Sequence, residues 1–266
     1  MNKELIWVGS QQDFVDVIDI QSIDTMVIGR YGGNSIAGQY KNEDGCLVWK
    51  DQEGSWEFAM ILDAHNTAQS AEIIVELFQQ RKSDIQRILD QPLKVIFKDL
   101  ETFVLNIFQD EDFLSICRKI QGETACLIVV RKDKYVWWFS VGDCLLYLFH
   151  PELAALGQYH LNQRHFYEWI GQVNTFEQLV PCYSSGVREL RKGENHLFLT
   201  TDGLIECPGE PYSNPKKLSD VLFNLENEQN IKSLLKDIQN RNVRDSTTIV
   251  SWKVYISQEV TQPSNS

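Results

Sequence analysis

The 266-residue chain reads as an α+β protein with mainly antiparallel sheets covered by pairs of helices. Three observations lead there. Strand-like apolar runs come in groups, helical periods come in pairs between those groups, and neither an internal repeat nor the regular alternation of a doubly wound sheet is present. The length admits one large domain or two small ones, and either could bury a proper core.

The first strand group comprises Glu4 to Val8, Thr25 to Gly29, Cys46 to Trp49 and Trp56 to Leu62, punctuated by Gly32-Gly33 and Gly38. From Ala68 to Gln80 the period becomes helical, with Ala71, Ile74, Val75 and Phe78 on one face. A longer helix follows Pro92, which suits a first turn, with Leu93, Ile96, Phe97, Leu100, Phe103, Val104 and Ile107 on one stripe. Strands return at Thr124 to Arg131, Tyr135 to Val141 and Leu145 to Phe149. Residues 150–195 are irregular and read as an insertion or mobile segment. Its Phe166-Tyr167 pair and Trp169 leave two readings open, a substrate-facing flap or plain packing. A strand from His196 to Thr201, helices near 215–226 and 229–240, and a strand from Thr247 to Ile256 complete the pattern. Residues 257–266 are expected to fray.

The net charge of -12 and the absence of a basic stripe argue against nucleic acid or an anionic membrane as partner. The six cysteines form no CxxC pair and several lie in apolar runs, as buried thiols of a reducing compartment do. The N-terminal MNKELIWVGSQQDF carries no long apolar core, and no window approaches the roughly 18 apolar residues of a membrane span. A cytoplasmic location is expected.

Four places share an acidic residue where an apolar strand starts or stops: Asn42-Glu43-Asp44, Asp63, Asp202 and Asp245. At Asp63 the strand is expected to end in Asp63-Ala64-His65, which reads alone as a metal or catalytic site or as a turn with a helix cap. Carboxylates at strand ends can converge at one sheet edge, and hard ions such as Mg²⁺ or Mn²⁺ take oxygen ligands.

The segments NEDG at 42–45, LDAH at 62–65, GETA at 122–125, VGDCLLYL at 141–148, TTDGLIE at 200–206 and RDSTTIV at 244–250 form an ordered set. That set resembles the metal-dependent Ser/Thr protein phosphatases of the 2C type, across roughly residues 30–256. The resemblance implies a β-sandwich of two mainly antiparallel sheets flanked by helix pairs, with residues 1–256 as a single domain. It also implies a two-ion Mn²⁺ or Mg²⁺ site, where a metal-bridging water hydrolyses phosphoserine or phosphothreonine of a phosphorylated protein. Carried over by motif, Asp63 would bridge both ions and Asp202 and Asp245 would complete the first site. Glu43 or Asp44, with the backbone carbonyl of Ala64, would serve the second. His65 would protonate the leaving oxygen. Glu206 is placed to touch a further ion or water, and Asp143 reads as a turn residue.

The sequence departs from the family at particular positions. All three glycines of DGHGG are missing from Asp63-Ala64-His65-Asn66-Thr67, and Ala64 can serve provided its φ is negative. The arginine that forks onto phosphate is Gln39, leaving Lys41 and Arg30 as the candidate phosphate contacts. The GDSR arginine is Leu145, and basic residues precede GETA where an acidic one often stands. Metal-dependent phosphatase activity at a reduced rate is therefore expected; the alternative is a weakly catalytic or non-catalytic 2C-like domain that binds a phosphoprotein or other partner.

Overall fold

The computed structural model describes residues 4–51, 53–223, 225–262 and 264. Among the described residues twelve strands run as β1 (Glu4–Val8), β2 (Ile18–Ile23), β3 (Met26–Tyr31), β4 (Gly45–Lys50), β5 (Trp56–His65), β6 (Glu123–Lys132), β7 (Tyr135–Val141), β8 (Leu145–Phe149), β9 (Ile170–Gly171), β10 (Ser184–Glu189), β11 (Gly193–Thr200) and β12 (Thr247–Ile256). Seven helices accompany them: α1 (Gln69–Gln80), α2 (Lys82–Leu89), α3 (Leu93–Phe108), α4 (Glu111–Cys117), α5 (Pro151–Ala155), α6 (Pro215–Leu222) and α7 (Asn227–Asn240).

These strands pair antiparallel throughout. One sheet has the order β1-β4-β5-β6-β7-β10, with β9 paired to β6; the other is β2-β3-β12-β11-β8. The period of two along each strand divides its side chains between two layers. In β5, Phe58, Met60 and Leu62 share a core with helices α1–α3 through Ile74, Phe78, Ile85, Ile96 and Leu100. The alternate residues Ala59 and Ile61 enter the core between the sheets, with Cys46 and Val48 of β4, Leu197 and Leu199 of β11, and Val250 and Trp252 of β12. A third core packs Phe198 and Ile249 against Leu218, Leu222, Ile231 and Leu234 of α6 and α7. The molecule is thus a two-sheet sandwich with helices on both outer faces, as expected. Each fully buried Leu, Ile or Phe contributes about 1.5–3 kcal/mol.

The helical face of α1 is the one expected, with Ala71, Ile74, Val75 and Phe78 buried. Pro92 stands at the N-cap of α3 in extended conformation rather than inside the first turn. The short helices α2 and α4 and the strands β2, β9 and β10 escape the sequence reading, because each is too short or too polar to show a period. The strand expected to stop at Leu62 runs on, with Asp63, Ala64 and His65 paired to Ala125, Thr124 and Glu123. The tail also differs from expectation: Val260 is buried in the inter-sheet core, and Arg191 donates to the Thr261 carbonyl at 3.1 Å. Residues 263, 265 and 266 of that tail lie outside the described residues.

Candidate metal centre

Strand parity explains where the carboxylates go. Asp63 shares the face of Ala59 and Ile61, and Asp44 that of Cys46 and Val48. Thr201 continues the face of Leu197 and Leu199, and Thr248 that of Val250 and Trp252. The site is therefore the polar end of the core between the two sheets, reached by strands from both.

Carboxylate oxygens of Asp63, Asp143 and Asp202 lie within 4.8 Å of one another. Asp63 and Asp202 are buried, at 2% and 7% exposure. Asp202 opens a short 3-10 turn after β11, and its backbone N–H donates to Asp63 Oδ2 at 3.4 Å. Asp44 is wholly buried and accepts hydroxyls of Ser246 at 2.7 Å, Thr248 at 2.6 Å and Thr201 at 3.3 Å. Those hydroxyls come from TTDG and RDSTT, so the two motifs grip the NED carboxylate directly. Asp245 lies at the exposed mouth. Glu43 is half-buried and forms an ion pair with Lys41, whose ammonium also donates to the Asn66 carbonyl at 2.6 Å. His65 stands half-buried at the end of β5.

The carboxylates hold protons far more tightly than usual. Burial, then the charges of Asp202, Asp44, Asp245 and Asp143, pushes Asp63 well above the ordinary range. Burial first raises Asp44 and Asp202 to about 7 each, and Asp245, open to solvent on one side, rises to about 6 through partial loss of hydration and the charge of Asp44. Two carboxylates about 5 Å apart repel by roughly 3 kcal/mol at an effective dielectric of about 20. Ionising the whole cluster thus calls for added positive charge. Among the described residues nothing hydrogen-bonds the buried Asp202 Oδ1, an orphan that suits a cation ligand. All-oxygen donors with a free buried oxygen fit a hard divalent ion.

The missing glycines have a structural answer. Ala64 is paired strand, outside the positive-φ residues, so it meets the condition set for it. Asn66 takes φ 72°, a left-handed conformation that asparagine tolerates better than most side chains. Gly122, at φ 88°, packs under this corner, and a Cβ there would come within 2.2 Å of the His65 carbonyl oxygen. Gly122→Ala is expected to cost about 2–4 kcal/mol and to displace His65. Chemical denaturation and pH-dependent turnover check this; an unchanged midpoint would refute the packing role.

Arg30, a candidate phosphate contact, pairs across the sheet with Thr248, but its guanidinium is already engaged. Its guanidinium is bound to Asp19 through Nε at 2.9 Å and Nη2 at 2.5 Å, meets Gln21, and lies over Trp7 and Phe14. The expected site also omits two residues that the structure adds. Asp143, read from sequence as a turn residue, joins the carboxylate group. Arg164 comes from the irregular segment, with Nη2 2.5 Å from Glu206, 3.2 Å from Asp143 and 3.5 Å from Asp202. The break of an apolar run at Gly142-Asp143 is the available sign for the first. No local pattern marks the second.

These features define a two-sheet sandwich with a buried carboxylate cluster at one end. The chain has the fold of bacterial serine/threonine phosphatases of the 2C type. It is similar to the serine/threonine phosphatase Stp1 from Staphylococcus aureus, at 14% identity and TM-score 0.64 over 92% of this chain and 98% of that one. It is also similar to PppA, a key regulatory component of T6SS in Pseudomonas aeruginosa, at 15% identity and TM-score 0.63 over 86% and 97%. RsbX, solved in complex with magnesium, superposes at 13% identity and TM-score 0.58 over 90% and 100%. No protein-family model and no curated protein matches the sequence.

Proposed function

We propose that the chain is a Mn²⁺- or Mg²⁺-dependent protein phosphatase acting on phosphoserine or phosphothreonine. The observation that carries this is the group of buried Asp63 and Asp202 with half-buried Asp143, beside Asp44 and Asp245, at one end of a phosphatase-type sandwich. Asp63 and Asp202 would hold the ions, with Asp245 completing one site and Glu43, Asp44 and the Ala64 carbonyl serving the other. When bound, the ions would supply an activated water nucleophile and positive charge for the phosphoryl oxygens. Asp44 is oriented by its three hydroxyl partners, which fix its position without neutralising it. His65, half-exposed at the lip, would return a proton to the leaving seryl or threonyl oxygen. A cleft of about 270 Å³ lined by Tyr40, Lys41, Glu43, Asn66 and Thr67 adjoins the site and would take the flanking peptide. Six free cysteines support a reducing, cytoplasmic setting, and among the described residues no helix is long and apolar enough to cross a membrane.

The test is phosphate release from p-nitrophenyl phosphate and a phosphothreonine peptide with Mn²⁺, with EDTA, and with Asp202→Asn. Turnover is expected only with the metal and the intact aspartate. Folded protein without metal-dependent turnover would overturn the enzymatic reading. One observation favours a second reading, a phosphoprotein-binding regulator: neither Gln39 nor the occupied Arg30 offers a free guanidinium to grip phosphate. Metal binding without turnover in the same assay would decide for it.

A further inference from the structure

Arg164 stands where a phosphatase centre of this kind needs cations. Its Nη2 contacts Glu206, Asp143 and Asp202 at 2.5, 3.2 and 3.5 Å. Three independent constraints fix the guanidinium there. It lies over the Phe166 ring at 4.7 Å. The neighbouring His165 N–H donates to the Gly142 carbonyl at 2.9 Å, tying the loop beside Asp143. Its side chain is only 19% exposed.

Asp202 is divided by this arrangement. Its Oδ2 faces Arg164, whereas its Oδ1 is buried without a partner among the described residues. One oxygen is thus answered by the chain's own cation and the other is left for an ion. Building on the phosphatase reading, we infer that Arg164 is a built-in cation that holds the outer carboxylates Asp143 and Glu206 in place of a divalent ion, confining metal binding to the inner ones. A divalent ion at Asp143 and Glu206 would meet the guanidinium at contact distance, and like charges so close repel strongly in a partly buried site. The arginine cannot escape by losing its proton. It is therefore a positioning residue that sets how many ions the centre takes.

Mn²⁺ binding followed by calorimetry, with bound Mn²⁺ counted by electron paramagnetic resonance, tests this in wild type, Arg164→Met and the double variant Arg164→Met/Glu206→Gln. Arg164→Met is expected to bind about one further Mn²⁺ per chain, and the added Glu206→Gln to remove it. Folded Arg164→Met that binds the same non-zero number of ions, with affinities within about twofold of wild type, would overturn the inference while leaving the phosphatase reading intact. No Mn²⁺ binding in either protein would overturn both. If Arg164→Met does not fold, Arg164→Lys carries the test. A compact ammonium cannot span three carboxylates, so the additional ion should appear at higher Mn²⁺ concentration, and an unchanged count would again refute the role.

Discussion

Asp63→Asn is expected to lower metal-dependent kcat/KM by about 1,000-fold or more while raising the stability of the metal-free protein. The two effects have one cause. Asp63 is buried, and it faces the charges of Asp202, Asp44, Asp245 and Asp143, which with burial hold its carboxyl well above the ordinary range. An amide of the same shape removes that repulsion and still accepts the Asp202 N–H, now bound to Asp63 Oδ2 at 3.4 Å. It also removes the anionic oxygen that a divalent ion would share with Asp202. Stabilisation in EDTA of about 1–3 kcal/mol is expected, since an amide avoids the cost, of that order, of either taking up a proton or burying a charge on folding. Thermal melts in EDTA and turnover in Mn²⁺ provide the check. A variant that keeps wild-type turnover would remove Asp63 from the metal centre. A variant that melts lower in EDTA would show that its carboxylate is not held under repulsion.

The metal-free protein should also lose stability as pH rises from about 4 to about 7. Asp44 and Asp202 titrate at about 7 and Asp245 at about 6 in the folded chain, against 3.8 as the ordinary value. Each binds its proton more tightly folded than unfolded. Its contribution is fully present below the unfolded value and is lost as pH climbs through the folded one. For the buried Asp44 and Asp202 a rise from 3.8 to about 7 corresponds to at most about 4 kcal/mol each. They share their protons, so the sum is smaller, and the exposed Asp245 adds less because water screens it. A fall in melting temperature on the order of 5–10 °C in EDTA is expected. Surface carboxylates such as Glu189, held low chiefly by its hydrogen bond with Lys134, act in the opposite sense below about pH 4. Maximum stability without metal therefore lies at about pH 4. Mn²⁺ competes with protons for the same oxygens, so its stabilising effect should grow with pH. Calorimetry in EDTA and in Mn²⁺ across this range measures both slopes; a flat or rising EDTA profile would contradict the crowded, uncompensated cluster.

Much of this design is legible in the sequence. The continuous apolar runs of β5, β6, β11 and β12 mark strands, and the spacing of Ala71, Ile74, Val75 and Phe78 marks the buried face of α1, because both are local patterns. The acidic residues at strand ends mark Asp44, Asp63, Asp202 and Asp245 as candidates. The ordered motifs carry their order of appearance and the α+β sandwich. Arg30 is a different case, because its engagement with Asp19 across the β2–β3 pair is a register fact. A basic residue near a motif carries no sign of which way its side chain turns.

By itself, then, the sequence determined the longer strands and helices, the layered α+β class and four candidate acidic positions, since these follow from short-range patterning and local residue type. Only the tertiary structure decided that β5 extends through His65, that Thr201, Ser246 and Thr248 grip Asp44, and that Asp143 joins Asp63 and Asp202. It alone placed Arg164, from the irregular segment after β8, against Glu206 and Asp143. The reason is physical. Those contacts depend on the registers of two facing sheets and the fold-back of an irregular segment, and neither leaves a repeating mark on the residues that make them.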